Sequence, residues 1–264
     1  PPSRHVKKYV TFCALLALKS LKATLEKHPQ LIFHNFFMDF KPNMWHKFAH
    51  HKQQRRLFMP FKPIKKAVFP VAGIGTRLLP ATKVMPKEML TIVDRPLIQM
   101  AVEEARAAGI EEFIFIINQD KDMLVQHFHD SQHLIDVLTE RNKTELVNAV
   151  KTAQIPKNSF FTATQDQPLG LGHAVWCARH LVGDEPFAVI LPDDTVLNDE
   201  GCLSQMMKAY NSVGGNIIAT CAVSENDTSK YGILDIISSK GDMMEVRGLV
   251  EKPDPSEAPS NMAI

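Results

Sequence analysis

The chain has 264 residues, 45% of them apolar, which is enough for a sizeable core in one large domain or two small ones. Its four cysteines, Cys13, Cys177, Cys202 and Cys221, are widely scattered with no CxxC pair, which argues against a disulfide scaffold and for reduced thiols in a cytoplasmic setting. No uncharged apolar run reaches the ~18 residues of a membrane span, and the formal net charge is only +1.

That charge is unevenly placed. Residues 1–63 hold 12 of the 30 Lys and Arg and 2 of the 29 Asp and Glu, leaving 18 against 27 for the remainder. An acidic body argues against nucleic acid as the main partner. In the basic head, KKYVTFCALLALKSLKATLEKH has helical spacing, but its apolar run is short and no A-x-A cleavage site follows. HKFAHHKQQRR is basic and His-rich without metal-ligand spacing. Residues 1–63 therefore read as a disordered or accessory extension, or a wrongly assigned start, with a surface-binding arm as the other reading. The chain opens on Pro1 rather than Met, as a fragment would.

From Lys65 the texture changes. KKAVFPVAG is a strand-type run ending in glycine, and PLIQMAVEEARAAGI has apolar residues at helical spacing. EEFIFIIN reads as a buried strand, KDMLVQHFHD and HLIDVLTERNKTELVNAVKTA as helices, NSFFTATQ as a strand and GHAVWCARHLV as a helix. PFAVILPDD is a strand ending in two acids, GCLSQMMKAYNSV a helix and NIIATCAVS a strand; YGILDIISS and MMEVRGLVEKP are strands flanking a turn. Alternation of this kind predicts an α/β fold with a mainly parallel sheet, whose ligands bind beyond the carboxyl ends of the strands. The loops after Ala72, Thr164 and Leu191 occupy those positions.

The loop FPVAGIGTRLLPATKVMPKEML has the makings of a polyphosphate cradle. Gly73 and Gly75 permit close backbone approach, and successive N–H groups can face an anion. Arg77 can fork onto two phosphate oxygens, Lys87 adds charge, and Pro80 and Pro86 prevent an ordinary helix. It is not a Walker loop, and GIGTRL lacks the third glycine of the dinucleotide fingerprint. A structural glycine turn is the competing reading.

Three further stretches carry chemistry. In QDQPLGLGHAV, Gln165 offers an acceptor and donors suited to a base edge, and Gly170 and Gly172 let the backbone pass a flat ligand. A tight turn before a helix explains the same residues, and His173 then reads as a capping or packing residue. ILPDD delivers Asp193 and Asp194 beyond an apolar strand, and one or two carboxylates suffice for Mg²⁺ that keeps substrate phosphates and water in its shell. Asp194 could instead cap the turn. In VEKP, Glu251 and Lys252 could take sugar hydroxyls and a phosphate, or form a solvated strand end.

GIGTRLLPATKVMPKEML, followed by IVDRPLIQ, is similar to the signature of the sugar-1-phosphate nucleotidyltransferases, and its PKEM ending resembles their bacterial UTP–glucose-1-phosphate uridylyltransferases. The resemblance runs from about Lys65 to Ile264 and rests on several separate motifs. It implies a Rossmann-like three-layer α/β fold with a mainly parallel, mixed sheet. It also implies nucleotide binding by Ala72, Gly73, Gly75 and Thr76, uracil contacts by Gln165 and Gly170, and a magnesium ligand at Asp193. Gly232 and Glu251 would lie beside the sugar and Lys252 on its phosphate. The implied reaction joins UTP and glucose 1-phosphate to give UDP-glucose and pyrophosphate, with Arg77, Lys87 and Lys252 as the catalytic cations. The family continues beyond PSNMAI, so residues 64–264 are expected to form a domain incomplete at its carboxyl end. Dimers or tetramers are expected where that region is present. Three other readings stay open: a nucleotidyltransferase using dTTP, CTP or GTP, a metal-dependent glycosyltransferase, and a catalytically inactive nucleotide- or sugar-binding protein.

Overall fold

The computed structural model describes residues 61–118, 122–194, 196 and 198–264 and, of residues 8–13, the backbone path. The chain divides into two compact units: Lys62–Ser204, and the described residues of Pro1–Phe61 together with Gln205–Ile264.

The first described segment departs from expectation. Lys8–Cys13, within the stretch whose spacing suggests a helix, is a strand, β1. It pairs antiparallel with β8 (Asn216–Ala222), from Lys8 opposite Cys221 to Cys13 opposite Asn216. The sequence KYVTFC explains the difference: Tyr, Val, Thr and Phe all favour extended backbone, and a partner strand outweighs helical spacing. The rest of the basic head, including HKFAHHKQQRR, lies outside the described residues.

The unit Lys62–Ser204 is built on β2 (Lys66–Pro70), β5 (Glu112–Ile117), β6 (Phe160–Thr164) and β7 (Phe187–Val189). All four are parallel, in the order β6-β5-β2-β7. A small hairpin, β3 (Thr91–Ile92) with β4 (Arg95–Pro96), stands between β2 and the first helix. From β2 the chain steps to β5 and β6 on one side, then returns to β7 on the other. The direction of winding therefore reverses at β2, where such sheets open a crevice at their carboxyl edge. The central strands are buried on both faces, which is why EFIFII reads as a continuous apolar run rather than an alternating one.

Alternation along the strands sorts their side chains into two faces. On one face Val68, Ile114 and Ile116 pack with Ala174, Ala178 and Val182 from α5 (Leu171–Cys177), the residue after it and α6 (Arg179–Val182). On the other, Phe115 stacks against Phe69, Phe128 and Phe160, with ring centroids 5.0, 5.3 and 4.9 Å away. Phe128 belongs to α2 (Asp122–Phe128), and α1 (Leu97–Ala107) reaches the same face by placing the Arg106 guanidinium over the Phe113 ring. Helices thus cover both faces of a parallel sheet, the three-layer α/β arrangement expected. The carboxyl end of α1 closes with Gly109 at φ 91°; Ile110 N–H donates to Ala105 O and Gly109 N–H to Arg106 O, which settles two end carbonyls. The stretch HLIDVLTERNKTELVNAVKTA forms two helices, α3 (Gln132–Glu140) and α4 (Thr144–Ala153), divided where Asn142 turns left-handed at φ 52°.

The helix α7 (Cys202–Val213) spans the division between the units. In the second unit β8, β9 (Gly232–Lys240), β10 (Met243–Glu251) and β11 (Met262–Ala263) close with β1 into a small barrel, in the order β1-β10-β9-β11-β8. Its core holds Leu234, Met244, Val246 and Met262. The turn between β9 and β10 passes through Gly241 at φ 61°, a conformation glycine adopts without steric cost.

Two outcomes are expected. Phe115 is fully buried at the centre of the aromatic stack. Phe115→Ala should destabilise by about 3–5 kcal/mol, read as a lower urea midpoint at unchanged slope. His127, on α2, faces Gln99 Oε1 at 3.0 Å, and burial lowers its pKa below the ordinary histidine value. The unfolded chain then binds more protons than the folded one as pH falls through about 6.5. Stability from this group is therefore complete above that range and is lost on acidification. Urea midpoints at pH 7.5 and 5.5 should differ more for the wild type than for His127→Gln.

Candidate functional site

The site is assembled where the carboxyl edge of the parallel sheet gives way to loops. β2 delivers Val71 in sheet-like register, its N–H donating to Ile116 O at 2.9 Å. The chain then leaves the sheet through Ala72 and Gly73. At Gly75 the backbone turns left-handed, with φ 72° and ψ 35°. A Cβ there would lie 3.1 Å from Thr82 Cγ2 and 3.2 Å from Lys87 Cβ, so both conformation and space require glycine. Three short 3-10 turns follow, Thr76–Leu78, Ala81–Lys83 and Lys87–Met89. Pro80 and Pro86 precede the second and third, which is why no longer helix forms.

Hydrogen bonds hold this loop from within. Asn118, just after β5, donates through Nδ2 to Ala72 O at 3.2 Å. Thr82 Oγ1 donates to Gly75 O at 2.8 Å, and Leu78 N–H to the same oxygen at 3.0 Å. The carbonyls of Ala72 and Gly75 are thereby engaged by the protein, which reduces the negative character a polyanion would meet. Thr76 and Arg77 are exposed on the first turn, and Arg77 is free to swing towards an anion.

The loop also carries Lys87 to Asp193. Its Nζ donates to Asp193 Oδ2 at 2.7 Å, although 106 residues separate the two. β7 ends at Val189, but Ile190 N–H still bonds Val68 O at 3.0 Å, so the chain is aimed along the sheet as it releases the two acids. Asp194 N–H closes a turn onto Leu191 O at 3.0 Å. Partial desolvation, then the Asp193 charge, push the Asp194 carboxyl above its ordinary range, while Lys87 pulls it the other way. Adjacent carboxylates that repel each other suit a hard cation such as Mg²⁺. Lys87 occupies one oxygen of Asp193, leaving the other for a metal. Among the described residues no cluster of three or more His, Cys, Asp or Glu is gathered, so a cation here would be held by one or two carboxylates and complete its shell with substrate oxygens.

On the far side of the sheet, Gln165 follows β6 directly, its N–H donating to Ile117 O at 2.9 Å. Gly170, at φ 98° and ψ 177°, is in a conformation open essentially to glycine alone and starts α5. The Gln165 amide nitrogen reaches Gly170 O at 3.1 Å and His173 Nδ1 at 2.9 Å. From β6 to β7 is three strand spacings, roughly 14 Å, the scale of an extended nucleoside triphosphate. Gln165 stands at one end of that span, the glycine loop near its middle and Asp193 at the other end.

The remaining expected residues lie in the second unit and meet one another there. Gly232 pairs with Glu251 across β9 and β10. Lys252 N–H donates to Tyr231 O at 3.0 Å with φ at 47°, and its Nζ lies 3.1 Å from Glu251 Oε1. A Cβ on Gly232 would lie 3.0 Å from Leu249 Cδ1, so this glycine serves packing as well. Two residues that hold the loop are not among those the sequence singles out. Asn118 ends EEFIFIIN, and the rule about strand ends would have selected it. Thr82 carries no local signal. His173, expected as a capping or packing residue, lies with Nδ1 2.9 Å from the Gln165 amide nitrogen.

The Nucleotidyl transferase family model matches residues 66–264. The UTP–glucose-1-phosphate uridylyltransferase of Komagataeibacter xylinus is 48% identical over 203 residues, 77% of this chain and 72% of the relative. That of Bacillus subtilis (strain 168) is also 48% identical over 203 residues, 77% of this chain and 69% of the relative. A UTP-bound UGPase from Acinetobacter baumannii superposes with a TM-score of 0.69 at 40% identity, covering 76% of this chain and 72% of that one.

The left-handed turn generates a direct expectation. Gly75→Ala must adopt φ 72° with a Cβ pressed on Thr82 and Lys87. Strain of about 1–3 kcal/mol should displace the loop and weaken nucleoside triphosphate binding by about tenfold or more. Calorimetry on a variant with unchanged circular dichroism checks it.

Proposed function

The chain belongs to the nucleotidyl transferase family, and we infer that it transfers the uridylyl group of UTP to glucose 1-phosphate, giving UDP-glucose and pyrophosphate. One observation carries the reading at the level of geometry: a glycine-turned, cationic loop at the winding reversal of the sheet brings Lys87 within 2.7 Å of Asp193. The identity of the relatives supports the choice of nucleotide and sugar.

In this reading a phosphate oxygen of glucose 1-phosphate attacks the α-phosphorus of UTP in line. A new P–O bond forms, the bond to the β-bridging oxygen breaks, and pyrophosphate leaves with that electron pair. The attacking oxygen is already anionic, so no strong general base is required. The difficulty is bringing two polyanions together, a repulsion of several kcal/mol at an effective dielectric of about 20.

The residues answer that difficulty with placed positive charge. Arg77 and the backbone of Ala72, Gly73, Gly75 and Thr76 hold the β- and γ-phosphates and steady the departing pyrophosphate. Lys87 sits beside the phosphates, with Asp193 orienting its ammonium. Gln165 and Gly170 take the base. Glu251 accepts from sugar hydroxyls beside Gly232, and Lys252 binds the sugar phosphate. Asp193 is the magnesium ligand, with Asp194 beside it; bound there, the ion supplies charge neutralisation and orientation at the α-phosphate. Residues 64–264 are the catalytic domain and residues 1–63 an accessory extension. Its partners are small molecules, UTP and glucose 1-phosphate, rather than nucleic acid or membrane. We place the enzyme in the cytoplasm, as a homo-oligomer, either a dimer or a tetramer.

The test is pyrophosphate release by the 264-residue chain, with release expected only when UTP, glucose 1-phosphate and Mg²⁺ are all supplied. Arg77→Ala should lower kcat by about 100-fold; full turnover in that variant would remove Arg77 from the leaving-group role. Asp193→Asn should need a much higher Mg²⁺ concentration for half-maximal rate, and an unchanged requirement would remove Asp193 as the ligand.

A further inference from the structure

The Gln165 side chain is fixed from two sides. The Gly170 carbonyl lies 3.1 Å from its amide nitrogen. A carbonyl oxygen can only accept, so the group facing it must be the NH₂, and the orientation of the amide is determined. The second contact, 2.9 Å from the same nitrogen to His173 Nδ1, then requires a ring nitrogen that accepts. The His173 ring proton therefore sits on Nε2. Both amide hydrogens of Gln165 are spent in this way, and what the side chain has left to offer a ligand is Oε1. Gln165 is 9% exposed, so either hydrogen left unpaired would be costly.

We propose that His173 is a positioning residue for nucleobase choice: by taking the second amide hydrogen of Gln165 it presents Oε1, an acceptor, to the base. A base with an imide N–H, uracil or thymine, supplies the matching donor. Cytosine has a lone pair at the same ring position and meets Oε1 with like charge. The contact therefore selects pyrimidines by the proton at N3 and does not separate uracil from thymine. The local fold serves this arrangement. β6 hands Gln165 to the end of β5 through the bond to Ile117 O, and the glycine conformation at Gly170 starts α5 so that His173 falls on its first turn.

The proposal rests on Gln165 facing the base, and the experiment separates the two. Dissociation constants for UTP and CTP are measured by calorimetry on the full chain. The wild type should prefer UTP. His173→Leu should reduce the UTP-over-CTP preference by about fivefold to tenfold. His173→Asn, whose Oδ1 can stand where Nδ1 stands, should keep it within about twofold. A wild type without preference overturns the base contact and the proposal with it. A wild type that prefers UTP, beside a His173→Leu variant with the same ratio, overturns the positioning role alone. Long-range ¹H–¹⁵N spectra of the unsubstituted chain decide the matter should the leucine variant not fold: a proton on Nε2 is expected, and one on Nδ1 overturns the proposal.

Discussion

Parallel pairing of β2 between β5 and β7 is the constraint on which the site depends. Val68 is registered against Ile114 on one side and Val189 on the other, so the loop after β2 leaves the sheet between two further chain exits. One of those exits supplies Asn118, which holds Ala72, and the other supplies Asp193, which receives Lys87. A shift of register by one residue would turn Val68 out of its apolar layer and Phe69 out of the aromatic one. Two separate cores would then lose their central residues, and so the hydrophobic layers that stabilise the unit also fix where its loops emerge.

Electrostatics decides how that edge can be furnished. A cradle for polyphosphate needs positive charge, yet uncompensated cations gathered on a free protein repel one another. Here Lys87 and Asp193 compensate each other in a half-exposed pair, whose own contribution to stability is no more than about 1 kcal/mol. Its value lies in placement rather than strength. The ammonium is held at the edge of the sheet instead of sampling solvent, and one carboxylate oxygen is kept in the same place. Arg77, exposed on a short turn, keeps the freedom to reach.

Much of this was legible in the sequence because the relevant signals are local. A strand run ending in glycine, a proline-interrupted basic loop and paired acids after an apolar strand each carry their own physical reason. The alternation of strands and helices then placed them at one edge of one sheet. What was not legible depends on contacts across the chain. Lys87 and Asp193 are 106 residues apart, and no spacing rule joins them. Thr82 matters because it sits against a glycine seven residues earlier, in a turn whose geometry is set by neither residue alone. The strand at Lys8–Cys13 shows the same limit from the other direction: a helical spacing of apolar residues gave way to a partner strand that only the tertiary structure provides.

Gln165 and His173 show why a donor-and-acceptor inventory must be closed before a residue can be assigned a role. Taken alone, a glutamine can read either face of a pyrimidine, since it carries both an acceptor and donors. The backbone carbonyl of Gly170 removes half of that ambiguity because it cannot donate. The histidine removes the rest, provided its ring accepts at Nδ1. A flexible amide becomes a directional acceptor through two neighbours that between them accept both of its hydrogens. Selectivity of this kind is therefore a property of the helix start at Gly170 as much as of Gln165, since the glycine conformation there sets where the histidine falls.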